Sequence, residues 1–371
     1  MGRVAPMWNR QTIGAWRFRM LDNPSKADRR EPASEPQIEC RALWKIYGKR
    51  EAEAMRAVQE RGLSKEQVRD QFGCVLGVRN VSFTVERGEI FCIMGLSGSG
   101  KSTLVRHINR LIDPTSGEIH VAGARVDRMG ESELRQLRAE KIGMVFQHMA
   151  LWPHRTLAEN AAFGLEVRDI PPAQRRAAAE RALASMGLDG WADHYPDQLS
   201  GGMQQRVGLA RALAADPEIL LMDEPFSALD PLIRRQLQDQ FLELSTKLKK
   251  TTVFITHDLD EAIRMGRHIA IMNDGEIVQI GTPEEIVTRP SDDYVQEFVK
   301  GISRIGLVRA ETIMTPLDGR EVTPKTISTG SRLDAVIDLF LSDQQPLTVT
   351  DPFGAAVGQI TITDALRALR G

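Results

Sequence analysis

The sequence predicts an α/β protein: a mixed sheet, parallel at its core, arranged around one phosphate-binding loop. Three observations carry that expectation. "GLSGSGKST" at 95–103 follows the apolar run Ile90–Met94, and Gly95, Gly100, Lys101 and Ser102 fit G-x-x-x-x-G-K-[ST]. Two later runs, "EILLMDEP" and "TTVFITHD", are apolar without polar alternation, as parallel strands covered on both faces are. The chain of 371 residues is long enough for two domains and a small appendage.

Bulk composition narrows the class. Lys and Arg total 48 against 50 Asp and Glu, a net charge of -2, which argues against a generally basic nucleic-acid binder. Cys40, Cys74 and Cys92 show no paired metal spacing, and Cys92 falls in a core strand, so a reducing cytosol is expected. No apolar run approaches the ~20 residues that span a bilayer. The N-terminus has no unbroken apolar stretch of the signal-peptide kind.

In chain order, residues 1–37 end in the polar "NPSKADRREPASEP" and carry seven Arg or Lys against four Asp or Glu, with Trp8 and Trp16. They read as a disordered extension, with a basic aromatic arm for lipid or a partner as the alternative. "IECRALWKIYG" opens the globular pattern, an ATPase-sized domain over 38–285. A helical insert at 49–73 follows: "EAEAMRAVQERG" reads as a helix stopped by Gly62, and Ser64 with Gln67 forms a capping box for a second. "LGVRNVSFTVERGE" alternates as a half-buried strand does. Residues 131–215 are rich in helix formers after the strand-like "KIGMVFQ", and Asn273-Asp274-Gly275 signals a hairpin. Residues 286–304 read as helix and linker, and 305–371 as a further small α/β unit.

The chemistry begins at the loop. Its glycines let backbone N–H groups converge on an anion, and the following helix adds its positive end. Lys101 would reach the terminal phosphates and Ser102 would ligate Mg²⁺. "LSGGMQQR" places Ser200, Gly201 and Gly202 at a helix start, a second anion site in the same chain. Asp223 ends the run "ILLMD", where a carboxylate at a strand tip suits Mg²⁺. Glu224 follows and would orient or deprotonate an attacking water. His257 ends the next strand, at the γ-phosphate, and Gln147 in "VFQH" would sense the metal. His148 beside it reads either as a ligand or as a solvated loop residue.

The ordered set "GLSGSGKST", "VFQH", "LSGGMQQR", "LLMDEP", "SALD" and "ITHD" resembles the ATP-binding cassette (ABC) ATPases of transporters. "ERGLSKEQV", "IFCIMGLSGSGKSTLVRHINRLI", "ALWPH" and "ALDPLIRRQLQ" resemble, more narrowly, the ATPase subunits of quaternary-amine uptake systems. That resemblance covers roughly 38–300. It implies a mixed sheet core, a helical subdomain and an antiparallel subdomain. It makes Gly95, Ser97, Gly98, Ser99, Gly100, Lys101, Ser102 and Thr103 the nucleotide grip. Gln147 and Asp223 join Ser102 as metal residues, Glu224 becomes the catalytic base and His257 the switch histidine. Tyr47 would stack on adenine, with Trp44 as the rival aromatic. Ser200, Gly201 and Gly202, with the D-loop aspartate Asp230, would complete the site of a second copy, so that two chains sandwich two ATP molecules. Met203 stands where the broad superfamily more often has glutamine.

The resemblance also implies partners: a membrane permease received by "HMALWPHRTLAEN", and indirectly an extracytoplasmic binding protein, with the subunit at the cytoplasmic face of the cell membrane. No nucleic acid is expected. The rival readings are an import ATPase for another small polar solute, such as an amino acid, and a soluble ABC ATPase of repair or translation. The latter typically fuses two cassettes or carries a long coiled coil, whereas this chain has one phosphate loop. The tail resembles a single cystathionine-β-synthase (CBS) motif, with Gly358, Thr361 and Asp364 in a G-x-x-[ST]-x-x-D pattern. It would either sense a nucleotide or pack against a second copy through exposed Val336, Ile337 and Leu339.

Overall fold

In the computed structural model two sheets stack over the helix that follows the phosphate loop. The structure describes residues 35–370, apart from 148, 149, 228, 318 and 320. The extension with Trp8 and Trp16, together with His148 and Met149, lies outside the described residues.

The chain enters as β1 (Ile38–Tyr47), passes through α1 (Glu51–Arg61) and α2 (Lys65–Phe72), and returns as β2 (Val75–Val85). Tyr47 pairs with Val75, so the insert is the connection of an antiparallel hairpin. Its caps are those the residues dictate. Gly62 adopts φ 63 and its N–H closes on Val58 O, while Ser64 and Gln67 exchange both capping-box bonds. Ile46, Met55, Val58, Val68 and Leu76 give the insert a small core of its own.

Next come β3 (Ile90–Met94), α3 (Lys101–Ile108), β4 (Ser116–Val121), β5 (Ala124–Arg125), α4 (Glu131–Lys141) and β6 (Ile142–Val145). The helical subdomain is α5 (Leu157–Val167), α6 (Pro172–Ser185) and α7 (Gly201–Ala214). It is followed by β7 (Ile219–Asp223), α8 (Pro231–Leu248), β8 (Thr251–Thr256), α9 (Leu259–Met265), β9 (His268–Asn273) and β10 (Glu276–Gly281). One sheet runs β2-β1-β4-β5 and is antiparallel; the other runs β10-β9-β3-β8-β7-β6, parallel except for β10.

The absence of alternation in β3, β7 and β8 has a direct cause. Cys92, Met94, Leu220, Met222 and Phe254 face one core, with the helical subdomain. Phe91, Ile93, Leu221, Val253 and Ile255 face the other, with the antiparallel sheet and α3. Each large side chain so buried contributes about 1.5–3 kcal/mol relative to exposure, so both faces must be apolar. The hairpin at 273–275 forms with Asp274 at φ 46 and Gly275 at φ 88, a pair of left-handed residues of the type I′ kind.

α10 (Pro283–Thr288) and α11 (Asp293–Val299) lead to the tail: α12 (Ala310–Ile313), β11 (Thr315–Pro316), β12 (Thr326–Ser328), α13 (Leu333–Ser342), β13 (Leu347–Thr350), β14 (Ala356–Ile360) and α14 (Ile362–Arg370). Val295, Val299, Ile302 and Leu307 pack on the cassette core, so the expected linker region is held to the cassette. The tail has a four-stranded sheet, β11-β14-β13-β12, and its own core. One expectation fails there. Val336 is fully buried in that core and Ile337 and Leu339 pack against it. Among the described residues of the tail the large apolar side chains left exposed are Ile305, Val322, Leu341, Phe353, Leu366 and Leu369.

Candidate nucleotide site

The phosphate loop is shaped by close backbone approach. Gly95, Gly98 and Gly100 have φ of 152, 80 and 102. A Cβ on Gly95 would sit 2.2 Å from Met272 O, and one on Gly100 2.3 Å from Gly77 O. Only glycine fits at either position. Lys101 folds its ammonium under the loop and donates to Gly95 O (2.8 Å) and Leu96 O (2.9 Å). Burial pushes its pKa below the ordinary lysine value, opposed by the charges of Glu224 and Asp223. Ser99 Oγ is buried without a hydrogen-bond partner, while Ser97 and Gly98 form the exposed rim. A buried cation, an unsatisfied hydroxyl and a loop whose glycines leave the backbone open fit a phosphate chain.

The strand tips supply the rest. Asp223, at the end of β7, is 2% exposed and accepts from Ser102 Oγ at 2.9 Å. Arg106 Nη2 stands 3.5 Å from its other oxygen. Glu224 Oε2 receives His257 Nδ1 at 3.1 Å and Gln147 Nε2 at 3.5 Å. Residues 147, 224 and 257 thus gather on one carboxylate oxygen, beside the Ser102–Asp223 pair. Hydroxyl, carboxylate and amide are hard oxygen donors and suit Mg²⁺.

Tyr47 lies at the rim, 36% exposed, with its hydroxyl donating to Thr103 Oγ1 at 3.2 Å. Its ring covers Gly77, where a Cβ would approach within 2.9 Å. Trp44 packs instead against the core of the insert, which leaves Tyr47 as the available aromatic face.

Ser200, Gly201, Gly202 and Asp230 assemble elsewhere. Ser200 caps α7, accepting from Met203 N–H at 3.4 Å. Asp230 caps α8, accepting from the N–H groups of Leu232 and Ile233, each at 3.1 Å. Ser200, Gly202 and Asp230 line one cleft of about 410 Å³ with Arg206 and Leu229. Among the described residues no hydrogen bond joins 200–202 to the phosphate loop.

Two neighbours escaped the sequence reading. Arg106 stands four positions after Ser102 on α3, so helical spacing alone could have found it. Lys65, which donates to Gly98 O at 3.2 Å from the insert, carried no local signal. In the tail, Asp364 Oδ2 accepts from the N–H of Thr361 at 2.9 Å and from its hydroxyl at 2.6 Å. These polar groups of the G-x-x-[ST]-x-x-D pattern are engaged with each other at the start of α14.

Fold and site together define an ATP-binding cassette ATPase. The model of the ABC transporter family matches residues 78–227. The ATP-binding cassette MJ0796, solved as a dimer bound to ADP and Pi, superposes with a TM-score of 0.57 at 32% identity, over 66% of this chain and 98% of that one. The glycine betaine/proline betaine transport system ATP-binding protein ProV of Salmonella typhimurium is 53% identical over 72% of this chain, a match that spans 66% of its own length. The glycine betaine/carnitine transport ATP-binding protein GbuA of Listeria monocytogenes is 51% identical over 75% of this chain and 70% of its own. The trimethylamine N-oxide transport system ATP-binding protein TmoW of Ruegeria pomeroyi is 44% identical over 90% of this chain and 97% of its own. The chain belongs to the ATP-binding, ATP-hydrolysing subunits of ABC transporters, in the group of the quaternary-amine uptake systems.

Proposed function

We propose that this subunit powers import of a quaternary amine, or a similar compatible solute, through a membrane permease. The observation that carries its enzymatic half is the convergence of Gln147 and His257 on Glu224 beside Ser102 and Asp223. ATP is held by Gly95–Thr103, with Lys101 turning from the loop carbonyls to the terminal phosphates and Tyr47 stacking on the adenine. Ser102, Asp223 and Gln147 would hold Mg²⁺, which would supply charge neutralisation at the phosphates. Glu224 orients the attacking water and takes its proton. The new bond forms from the water oxygen to the γ-phosphorus, the bond to the bridging oxygen breaks, and ADP and phosphate leave. His257 holds Glu224 in place and faces the transferring group.

Ser200, Gly201, Gly202 and Asp230 act on the nucleotide of a second copy, so the working form is a head-to-tail homodimer. Their separation from the phosphate loop of their own chain supports this, as does the dimeric form in which the cassette MJ0796 was solved. A groove of about 530 Å³ lined by Met144, Phe146, Trp152, Phe163 and Val167 suits an apolar helix, and we assign it to the permease. No helix among the described residues is long and apolar enough to cross a membrane. The subunit works at the cytoplasmic face, and the solute is chosen by an extracytoplasmic binding protein.

Uptake of labelled glycine betaine and trimethylamine N-oxide, in cells with and without the gene, tests the transport half. Loss of one uptake on deletion, restored by the gene, is the expected result. Unchanged uptake of both, with uptake of an amino acid lost instead, would overturn the solute class.

A further inference from the structure

A cavity of about 740 Å³ opens where the cassette meets the tail. Its cassette wall is the end of α9 and α10, and its tail wall is residues 306–312 with Arg332. Four arginines line it: Arg267, Arg289, Arg309 and Arg332. Three glutamates line it too, but two are engaged locally. Glu285 closes the cap of α10, accepting from Thr282 N–H at 2.8 Å and its hydroxyl at 3.1 Å. Glu284 accepts from the Arg309 backbone N–H at 2.8 Å and from the Thr312 hydroxyl, which fastens tail to cassette. Arg309 is answered by Glu284 and Glu311, each at 3.8 Å. Among the described residues Arg267 and Arg332 make no ion pair and no side-chain hydrogen bond. Arg289 has only a longer-range attraction to Glu285.

The backbone sharpens the imbalance. Arg309 and Arg332 are opposed partners of an antiparallel bridge, flanked by Ala310 N–H to Ser331 O and Leu333 N–H to Val308 O, both 2.8 Å. Side chains so opposed stand about 4.5–5.5 Å apart at Cβ, and like charges there repel. An anion between them relieves the repulsion and answers the unpaired charges. Guanidinium forks favour phosphate, whose three or more oxygens accept from several forks at once, whereas a carboxylate offers only two. The described lining holds no aromatic side chain, so a base would find no stacking partner. Neither the phosphate loop nor the Thr361–Asp364 pair contributes to the wall.

We propose that this seam binds a small phosphate-bearing anion of two or more charges, held by Arg267, Arg289 and Arg332, which fixes the tail against the cassette. The test is hydrogen exchange of the full-length protein with millimolar sodium pyrophosphate. Exchange should slow at 282–289 and 305–312. The Arg289→Gln/Arg332→Gln double variant should need at least about tenfold more pyrophosphate for the same protection, given the strength of charge-assisted bonds. Arg309 is left intact because it pairs with Glu284, and ATP hydrolysis without pyrophosphate should be unchanged. Arg332→Lys keeps the charge but loses the fork, and should fall between the two. A parallel arm uses phosphatidic acid vesicles, whose headgroup is a phosphomonoester with three free oxygens, against phosphatidylcholine vesicles. Seam protection by the former, reversed by pyrophosphate, identifies a lipid headgroup; protection by pyrophosphate alone identifies a soluble anion. Protection confined to 95–103, or seam protection equal in wild type and double variant, overturns the proposal.

Discussion

At Glu224 the backbone adopts φ 47, a conformation that costs a non-glycine residue of order 1–3 kcal/mol. The surroundings hold it there: its N–H donates to Ile255 O at 3.2 Å and its carbonyl accepts from Ser227 Oγ at 3.0 Å. The bend aims the carboxylate at Gln147 and His257. Glu224→Gln keeps the backbone, the size and the loop, and removes only the proposed base. ATP affinity should therefore be retained while turnover falls by roughly 10²–10⁴-fold. Steady-state hydrolysis and nucleotide binding measured on one preparation check it, and wild-type turnover would remove Glu224 from the mechanism.

Between elements, Glu261 of α9 ties the start of that helix to β8 and α8. It is 7% exposed, accepts from Gln238 Nε2 at 2.7 Å, and is also bonded by the Thr256 hydroxyl. Burial, the dominant cause, raises its pKa above the ordinary 4.5 despite both bonds. A folded-state value above the unfolded one means that its contribution to stability is complete below 4.5 and is lost as pH rises through the raised value. Above the raised value the ionised carboxylate is carried at a cost. The melting temperature of Glu261→Gln relative to wild type should thus be greater at pH above the raised value than near 4.5, and decline as pH falls between them. Paired thermal melts over that range measure it; a pH-independent gap would show that Glu261 does not titrate as described.

At the scale of the molecule, the proposed dimer joins the phosphate loop of one chain to the Ser200–Asp230 cleft of the other; within one chain no hydrogen bond links 200–202 to the loop among the described residues. Lys101→Ala removes a charge-assisted phosphate contact, and Gly202→Asp crowds the helix start beside Leu229 with a like charge for phosphate. Each variant should be inactive alone. In the mixed dimer one site receives both defects and the other receives neither. Partial ATPase activity should return on mixing. No rescue at any ratio, with mixed dimers demonstrated, would sink the head-to-tail arrangement.

Local features could be read from the chain alone. Strands β3, β7 and β8, the Ser64–Gln67 capping box, the Asp274–Gly275 turn and the ordered nucleotide motifs depend on neighbours a few residues apart, so they were legible. Tertiary structure decided what depends on approach across the chain. It made the insert the loop of a hairpin, with Lys65 over the phosphate loop, and it packed Trp44 against the insert while leaving Tyr47 at the rim of the loop. It covered Val336 with the tail's own core, which helical periodicity could not distinguish from a surface offered to a partner. The arginine seam is likewise invisible in sequence, because Arg267, Arg289, Arg309 and Arg332 converge only when the tail docks and the pairing of Arg309 with Arg332 fixes their spacing.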